Sequence, residues 1–190
     1  MSSDKATGAD NQQERPVAAQ WVVGFVDGEG CFSVPIFRNQ ACRLGWQVQP
    51  EFTVVQGVRS VQVLHTLERF FGCGTVGVDR RRDNHREDLA RFRVTRLDDL
   101  SGHIVPFFEA HPLRTAKQES FVAFATVVRL MERKAHLDEE GLRNIAVIAS
   151  MMNFRRRSQL LESSEAIRQP SCLDGQDEDM VLAAWRHAGS

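Results

Sequence analysis

The chain has no long apolar run. None of its 190 residues belongs to an apolar stretch approaching the roughly 18 residues that a membrane-spanning helix needs. The N-terminal stretch MSSDKATGADNQQERP also lacks the apolar core of an export signal and the arginine-rich pattern of a transit peptide. We therefore expect a soluble, intracellular protein with no membrane partner, in the cytoplasm or nucleoid, or in an organelle if an organelle genome encodes it.

Cysteine is scarce and scattered. The four cysteines, at positions 31, 42, 73 and 172, form no CxxC pair. This spacing argues against a disulfide framework and against a structural zinc site. We expect reduced thiols, most of them buried.

The excess of positive charge that is common in DNA-binding proteins is also missing. The 24 lysines and arginines are opposed by 25 acidic residues, which gives a net charge of −1. The distribution is uneven, because residues 74–96 hold seven arginines against four acidic residues, whereas residues 173–180 are acidic. A charge cluster is commonly just a solvated surface, so it indicates nucleic acid only together with other features.

Apolar spacing predicts one folded domain between two polar segments. Residues 1–14 carry no apolar period and are expected to form a disordered leader, residues 15–154 the domain, and residues 155–190 a helical and acidic extension. Within the domain the pattern predicts a helix from residue 17 to the glycines at 28 and 30, strands over 31–37 and 46–55, a helix over 61–71, strands over 75–78 and 89–95, and helices over 98–108, 115–134 and 139–153.

Each predicted strand has one apolar and one polar side. In the second strand, Val48, Phe52 and Val54 alternate with side chains that are all polar. An antiparallel sheet with helices on one face buries the apolar sides and leaves the polar sides free. The predicted fold class is therefore α+β, with the element order αββαββα.

Two features of the first helix are unfavourable by themselves. Gly24 and Gly28 each cost roughly 1 kcal/mol relative to alanine, but their spacing would let a second helix approach closely on one face. Alternatively, Gly28 begins the C-terminal cap and Gly24 faces a bulky neighbour in the same domain. Asp27 and Glu29 lie at the negative end of the helix dipole. A bound cation would remove that conflict, although paired acids are commonly solvated surface.

Residues 22–30, VVGFVDGEG, resemble the LAGLIDADG motif of homing endonucleases. The glycines, Asp27 and Glu29 fall in register with that motif, and CFSV follows at once as a first strand. The departures are Glu29 where aspartate is commoner, and Val22-Val23 where Leu-Ala is commoner. The resemblance covers about residues 17–153 and implies the LAGLIDADG homing-endonuclease fold, an antiparallel saddle-shaped sheet with helices on one face.

The resemblance implies a DNA endonuclease that works as a dimer. In the family two such helices pack together, and only one motif is present here, so the second helix would come from a second chain. The homodimer would cut both strands of a long, pseudo-palindromic double-stranded DNA site and leave 3′ overhangs. The predicted dimer interface comprises Trp21, Gly24, Phe25 and Gly28.

The resemblance also implies catalytic residues. Glu29, helped by the Gly28 carbonyl, would hold Mg²⁺ or Mn²⁺, and Ca²⁺ would bind without supporting cleavage. Gln56 would order active-site water, unless it is an ordinary loop glutamine. A basic residue completes the site in the family, and Lys117 is preferred here, with Arg114 as the alternative.

The polar strand sides and the arginine cluster would contact DNA. Arginine bonds guanine bidentately and glutamine does so with adenine, whereas other arginines would bind phosphates. The predicted DNA-binding residues are Ser33, Phe37, Arg38, Asn39, Arg43, Gln47, Gln49, Glu51, Thr53, Arg91 and Arg93, with Arg80, Arg81 and Arg82 on phosphates. Two alternatives remain open: an inactive DNA-binding regulator or intron-RNA maturase, with RNA as partner in the maturase case, and a plain dimeric scaffold.

Overall fold

In the computed structural model, which describes residues 17–79 and 88–152, the first helix leads directly into the first strand. Helix α1 (Ala19–Glu29) ends on an acidic residue and β1 (Gly30–Ser33) begins at the next position. A Cβ on Gly30 would lie 2.5 Å from Val26 Cγ1 and 2.9 Å from the Val26 carbonyl oxygen. Only glycine therefore fits at this passage from helix to strand.

The next segment is a long antiparallel hairpin with a gap in each arm. The strands are β1, β2 (Ile36–Arg38), β3 (Trp46–Val48) and β4 (Glu51–Gly57). The prediction of unbroken strands over 31–37 and 46–55 was wrong, because Pro35 and Pro50 lie in the gaps and a proline has no N–H for the strand ladder. The register nevertheless continues across the gaps, where the Gln49 N–H donates to the Pro35 carbonyl at 3.0 Å. The predicted alternation of faces therefore survives.

The main sheet has four antiparallel strands in the order β1-β4-β6-β5. Strands β5 (Thr75–Asp79) and β6 (Leu89–Val94) complete it, while β2 and β3 pair separately. The predicted antiparallel sheet is confirmed. The leader at 1–14, the extension at 155–190 and the arginines Arg80, Arg81 and Arg82 lie outside the described residues.

The predicted helices are confirmed, with ends that differ by a few residues. They are α2 (Val61–Phe71), α3 (Leu97–Asp99) continuing through a π-helical turn (Leu100–Ile104) into α4 (Val105–Ala110), α5 (Lys117–Glu132) and α6 (Glu139–Met152). Within residues 17–79 and 88–152, no helix is long and apolar enough to cross a membrane.

A cluster of phenylalanines joins the inner side of the sheet to the helices. Phe52 and Phe92 on the central strands are fully buried, and so are Phe108 and Phe124 on the helices. Phe32 packs on Phe52 and on the rings from the helices at centroid distances of 5.0 to 5.4 Å. Because this core covers one side of the sheet, the other side, which carries Thr53, Arg91 and Arg93, is left as an outer face.

Candidate active site and outer sheet face

The end of α1 is tied to the start of α5 by one carboxylate. Asp27 accepts hydrogen bonds from the Arg114 N–H at 2.7 Å, the Thr115 hydroxyl at 2.8 Å and the Thr115 N–H at 3.3 Å. Burial by itself would raise the pKa of Asp27, but these donors hold it below its usual value. For Asp27, backbone donors that lie 87 and 88 residues further along the chain offset the unfavourable helix dipole without a cation.

Replacing Asp27 with asparagine should weaken the fold in a pH-dependent way. Because the native pKa lies below the unfolded value of 3.8, the carboxylate contributes stability at neutral pH that is lost as the pH falls through its native pKa. We expect Asp27→Asn to lower the unfolding free energy by about 1 kcal/mol at neutral pH, since the group is partly exposed. Urea denaturation should show this difference shrinking in acid, and Thr115→Val should reproduce part of it. An unchanged pH profile for Asp27→Asn would contradict the role.

Lys117 lies at the start of α5 and reaches the end of α1. Its ammonium donates to the Val26 carbonyl at 2.9 Å. Burial lowers the pKa of Lys117, and the nearby Cys31, Asp27 and Glu29 partly offset this. Arg114 is exposed, and it is its backbone N–H that contacts α1. Of the two basic residues that the sequence left open, the structure brings Lys117 to the end of the motif helix.

Glu29 and Gly28 are exposed at the last turn of α1. Among the described residues no hydrogen bond or ion pair uses the Glu29 carboxylate. The Gly28 carbonyl lies in the last turn of the helix, where carbonyls have no partner within that helix. Since Asp27 is engaged, the Glu29 carboxylate and the Gly28 carbonyl are the oxygen donors that fit a divalent cation here. Residues 17–79 and 88–152 contain no group of three ligating side chains within one chain.

Gln56 lies near the end of β4, as predicted, where it pairs with Ala90 two residues beyond the Val54–Gly30 pair. Among the described residues no hydrogen bond joins its side chain to Glu29 or Lys117, and its role stays a prediction. Cys31, one of the four thiols of which most were expected to be buried, is exposed opposite Thr53. Its outward position was missed although it follows from the same alternation that places Ser33 outward.

Polar side chains on the outer face are held by one another. Glu51 accepts a hydrogen bond from the Ser33 hydroxyl at 3.3 Å and pairs with Arg93 at 2.7 Å. Arg91 pairs with Asp79 at 2.9 Å. Thr53 lies on this face as predicted, but it is only 8% exposed between its neighbours. Four of the predicted DNA-binding residues thus lie together on the central strands.

The remaining residues predicted to contact DNA lie on or next to β2, β3 and the loop between them, which together form the hairpin tip. The Asn39 amide donates to Gln47 at 2.6 Å, whereas Phe37 and Arg43 are exposed and Gln49 is half-buried. Arg38 departs from this set, because its guanidinium lies over the Trp46 ring at 4.6 Å, on the opposite side of the hairpin from Phe37 and Gln47.

One face of α1 is open. The Trp21 ring, 41% exposed, stacks on Phe25 at a centroid distance of 5.2 Å. Gly24 and Gly28 are exposed on the same face, and a Cβ on either would have nothing within 4 Å. The alternative in which Gly24 faces a bulky neighbour of the same domain is therefore wrong, and Gly30 rather than Gly28 is the C-cap.

Known proteins share this architecture. The crystal structure of the homing endonuclease I-TnaI superposes with a TM-score of 0.70 and 42% identity over 80% of this chain and 99% of its own. The LAGLIDADG homing endonuclease I-LtrWI, solved bound to its target DNA, gives a TM-score of 0.68 and 31% identity over 82% of this chain and 49% of its own.

Sequence relatives agree. The probable intron-encoded endonuclease 3 of Neurospora crassa is 33% identical over 136 residues, which is 70% of this chain and 24% of that protein. The chain spans about a quarter of the length of this relative and of the probable intron-encoded endonuclease 2 from the same organism. The family model for the LAGLIDADG endonucleases matches residues 22–128. The chain therefore belongs to the LAGLIDADG endonuclease family.

Proposed function

We propose that this chain is a homing endonuclease that works as a homodimer and cleaves double-stranded DNA with a divalent metal ion. The observation that carries the proposal is the exposed Glu29 at the end of α1, beside Lys117 and next to the open face of the same helix. Family membership supports the reaction class. The Neurospora relatives are named as probable intron-encoded endonucleases, which supports an intron as the location of this gene. The protein would then act in the compartment whose genome carries that intron.

The second half of the site would come from a second copy of α1. The open face formed by Trp21, Gly24, Phe25 and Gly28 is apolar and nearly flat at its glycines, which suits close packing of two helices. Because Glu29 follows this face directly, a two-fold axis through it would bring the two Glu29 carboxylates near each other. The expected DNA site is correspondingly pseudo-palindromic.

The residues present fit a hard divalent cation. The paired Glu29 carboxylates and the Gly28 carbonyls would hold Mg²⁺ or Mn²⁺, whose chemistry is to activate a water and stabilise a leaving oxygen. Lys117 would place its ammonium against the developing negative charge at the scissile phosphate. Cleavage of both strands with 3′ overhangs, and a water-ordering role for Gln56, stay proposals taken from the family.

DNA would lie across the outer face. Arg91, Arg93 and Gln49 would contact base edges, with Asn39 and Gln47 at the hairpin tip, and Arg80, Arg81 and Arg82 would contact phosphates. The intramolecular pairs on this face hold the side chains in position before DNA arrives. Incubation with Mg²⁺ and DNA carrying the gene's own insertion site tests the whole proposal. Tight binding without cuts would instead favour the inactive regulator or, with RNA, the maturase.

Lys117→Met is expected to slow cleavage by about a hundredfold to a thousandfold, the loss typical of removing one electrostatic contact to a transition state. DNA affinity in Ca²⁺ should change by less than about threefold, since one phosphate contact among many is lost. Single-turnover cleavage in Mg²⁺ measures the effect. Arg114→Met is the matched control and should cleave at nearly the wild-type rate; a reversal of the two phenotypes would assign the basic role to Arg114.

A further inference from the structure

We propose that Glu51 is a positioning residue that determines specificity, because it fixes the Arg93 guanidinium on the outer sheet face so that this arginine contacts one particular guanine. The inference rests on the proposed DNA function and adds a role for an acidic side chain in the middle of a DNA-facing surface. This role would account for a carboxylate at a position where its negative charge repels the DNA phosphates.

The carboxylate of Glu51 joins three adjacent strands. Its Oε2 accepts from both Nε of Arg93 at 2.8 Å and Nη2 of Arg93 at 2.7 Å, and its Oε1 accepts from the Ser33 hydroxyl at 3.3 Å. Ser33 lies on β1, directly opposite Glu51 on β4, and Arg93 lies on β6. The Glu51 side chain is 19% exposed, whereas that of Arg93 is 43% exposed, so the acid is the inner support and the arginine is the accessible group.

The contact occupies one edge of the guanidinium and leaves another free. Nε and one N–H of Nη2 point at Glu51, so the Nη1 group and the second N–H of Nη2 remain available. These two terminal nitrogens form the fork that matches O6 and N7 of guanine in the major groove. An arginine already held in one conformation loses less freedom on binding, which favours the one base that matches its geometry.

The negative charge of Glu51 also supports a role in base discrimination. A carboxylate on this face weakens the attraction for every phosphate, whatever the DNA sequence. Its contribution to binding must therefore come through discrimination, since it lowers affinity for the wrong sequences as well as orienting Arg93 for the right one. Asp79 pairs with Arg91 at the outer strand through one contact, Nη2 to Oδ2 at 2.9 Å, and the Arg91 Nε has no partner among the described residues. Arg91 is therefore less firmly held than Arg93.

The test is selection from a double-stranded DNA library with a randomised core, using the full chain in Ca²⁺ so that bound DNA is retained. In the Arg93→Ala variant, the preference for guanine should disappear at one position of the selected site. That position is the base pair that Arg93 contacts. Glu51→Gln should lower the preference at that same position by about tenfold or more, which is the discrimination that one bidentate contact supplies. Its affinity for random DNA should rise.

The double variant and a charge control complete the design. On the Arg93→Ala background, Glu51→Gln should have no further effect on base preference, since it acts through that arginine. Glu132→Gln removes an equal charge from an exposed position on α5 and should leave the selected sequence unchanged. Thermal melting of each variant separates misfolding from altered preference, and Ser33→Ala, which releases Oε1 of Glu51, should weaken preference at the same base pair.

The outcomes separate the two proposals. A wild-type chain that enriches no sequence overturns the DNA function and this inference together. A wild type that enriches a site, with a folded Glu51→Gln variant that selects it with the same preference at the Arg93 position, overturns the role of Glu51 alone. A general fall in affinity without a change in base preference does the same.

Discussion

Glu29→Gln is expected to abolish DNA cleavage and to leave DNA binding intact. Glutamine keeps the size of the side chain but removes the negative charge that holds a hard cation. Loss of the metal-supplied activation and charge stabilisation should slow single-turnover cleavage in Mg²⁺ by at least about a thousandfold. Because Glu29 is exposed and makes no described hydrogen bond, the melting temperature should stay close to that of the wild type.

The control for this prediction is Glu140→Gln, which removes the same charge from an exposed position on α6 and should cut at the wild-type rate. Affinity in Ca²⁺ should be similar for all three proteins, within the change that one charge makes. Cleavage by Glu29→Gln within about tenfold of the wild type would exclude Glu29 as a metal ligand, since such a loss is too small for that role.

The comparison with Asp27 shows why the two acids of the motif must be tested separately. Both lie at the negative end of the same helix dipole, where a carboxylate is unfavourable. From the sequence, a bound cation would explain either acid equally well. The structure divides their roles, because Asp27 faces the turn before α5 and Glu29 does not. Asp27→Asn should therefore lower stability and Glu29→Gln should lower the cleavage rate, and neither should reproduce the main effect of the other.

The fold follows closely from local patterns. Strand faces were predictable because alternation is a property of neighbouring residues, and it holds across the gaps at Pro35 and Pro50. The helices were predictable for the same reason, with Gly72 at φ +65° ending α2 where a left-handed residue is required. The prolines were the local signal that should have divided the two long strands.

The site was only partly predictable, because its contacts join distant parts of the chain. The bonds from Asp27 to Arg114 and Thr115, and from Glu51 to Arg93, connect residues between 42 and 88 positions apart. No periodicity records such pairs. Only the family resemblance linked Lys117 to the end of α1 in advance, and the structure brings its ammonium to the Val26 carbonyl there. Arg38 lies on the side of its strand away from the outer face.

The glycines of α1 allow folding and assembly to be separated by one substitution. In the single chain a Cβ at Gly24 meets nothing within 4 Å, and alanine favours a helix over glycine by roughly 1 kcal/mol. Gly24→Ala and Gly24→Leu should therefore fold at least as well as the wild type. If Gly24 lies between two copies of α1, a leucine there would hold the helices apart and remove their close packing.

Gly24→Leu is accordingly expected to convert a dimer into a folded monomer. Sedimentation at micromolar concentration should show half the wild-type mass, melting should show an intact domain, and cleavage should fall by about a hundredfold or more because each monomer supplies half of the site. Gly102→Leu is the matched control, since Gly102 is also an exposed helical glycine with open space at its Cβ, and it should remain dimeric and active. A Gly24→Leu variant that stays dimeric and cuts normally would place the second motif helix somewhere other than against this face. A wild type that is monomeric on DNA would overturn the homodimer itself.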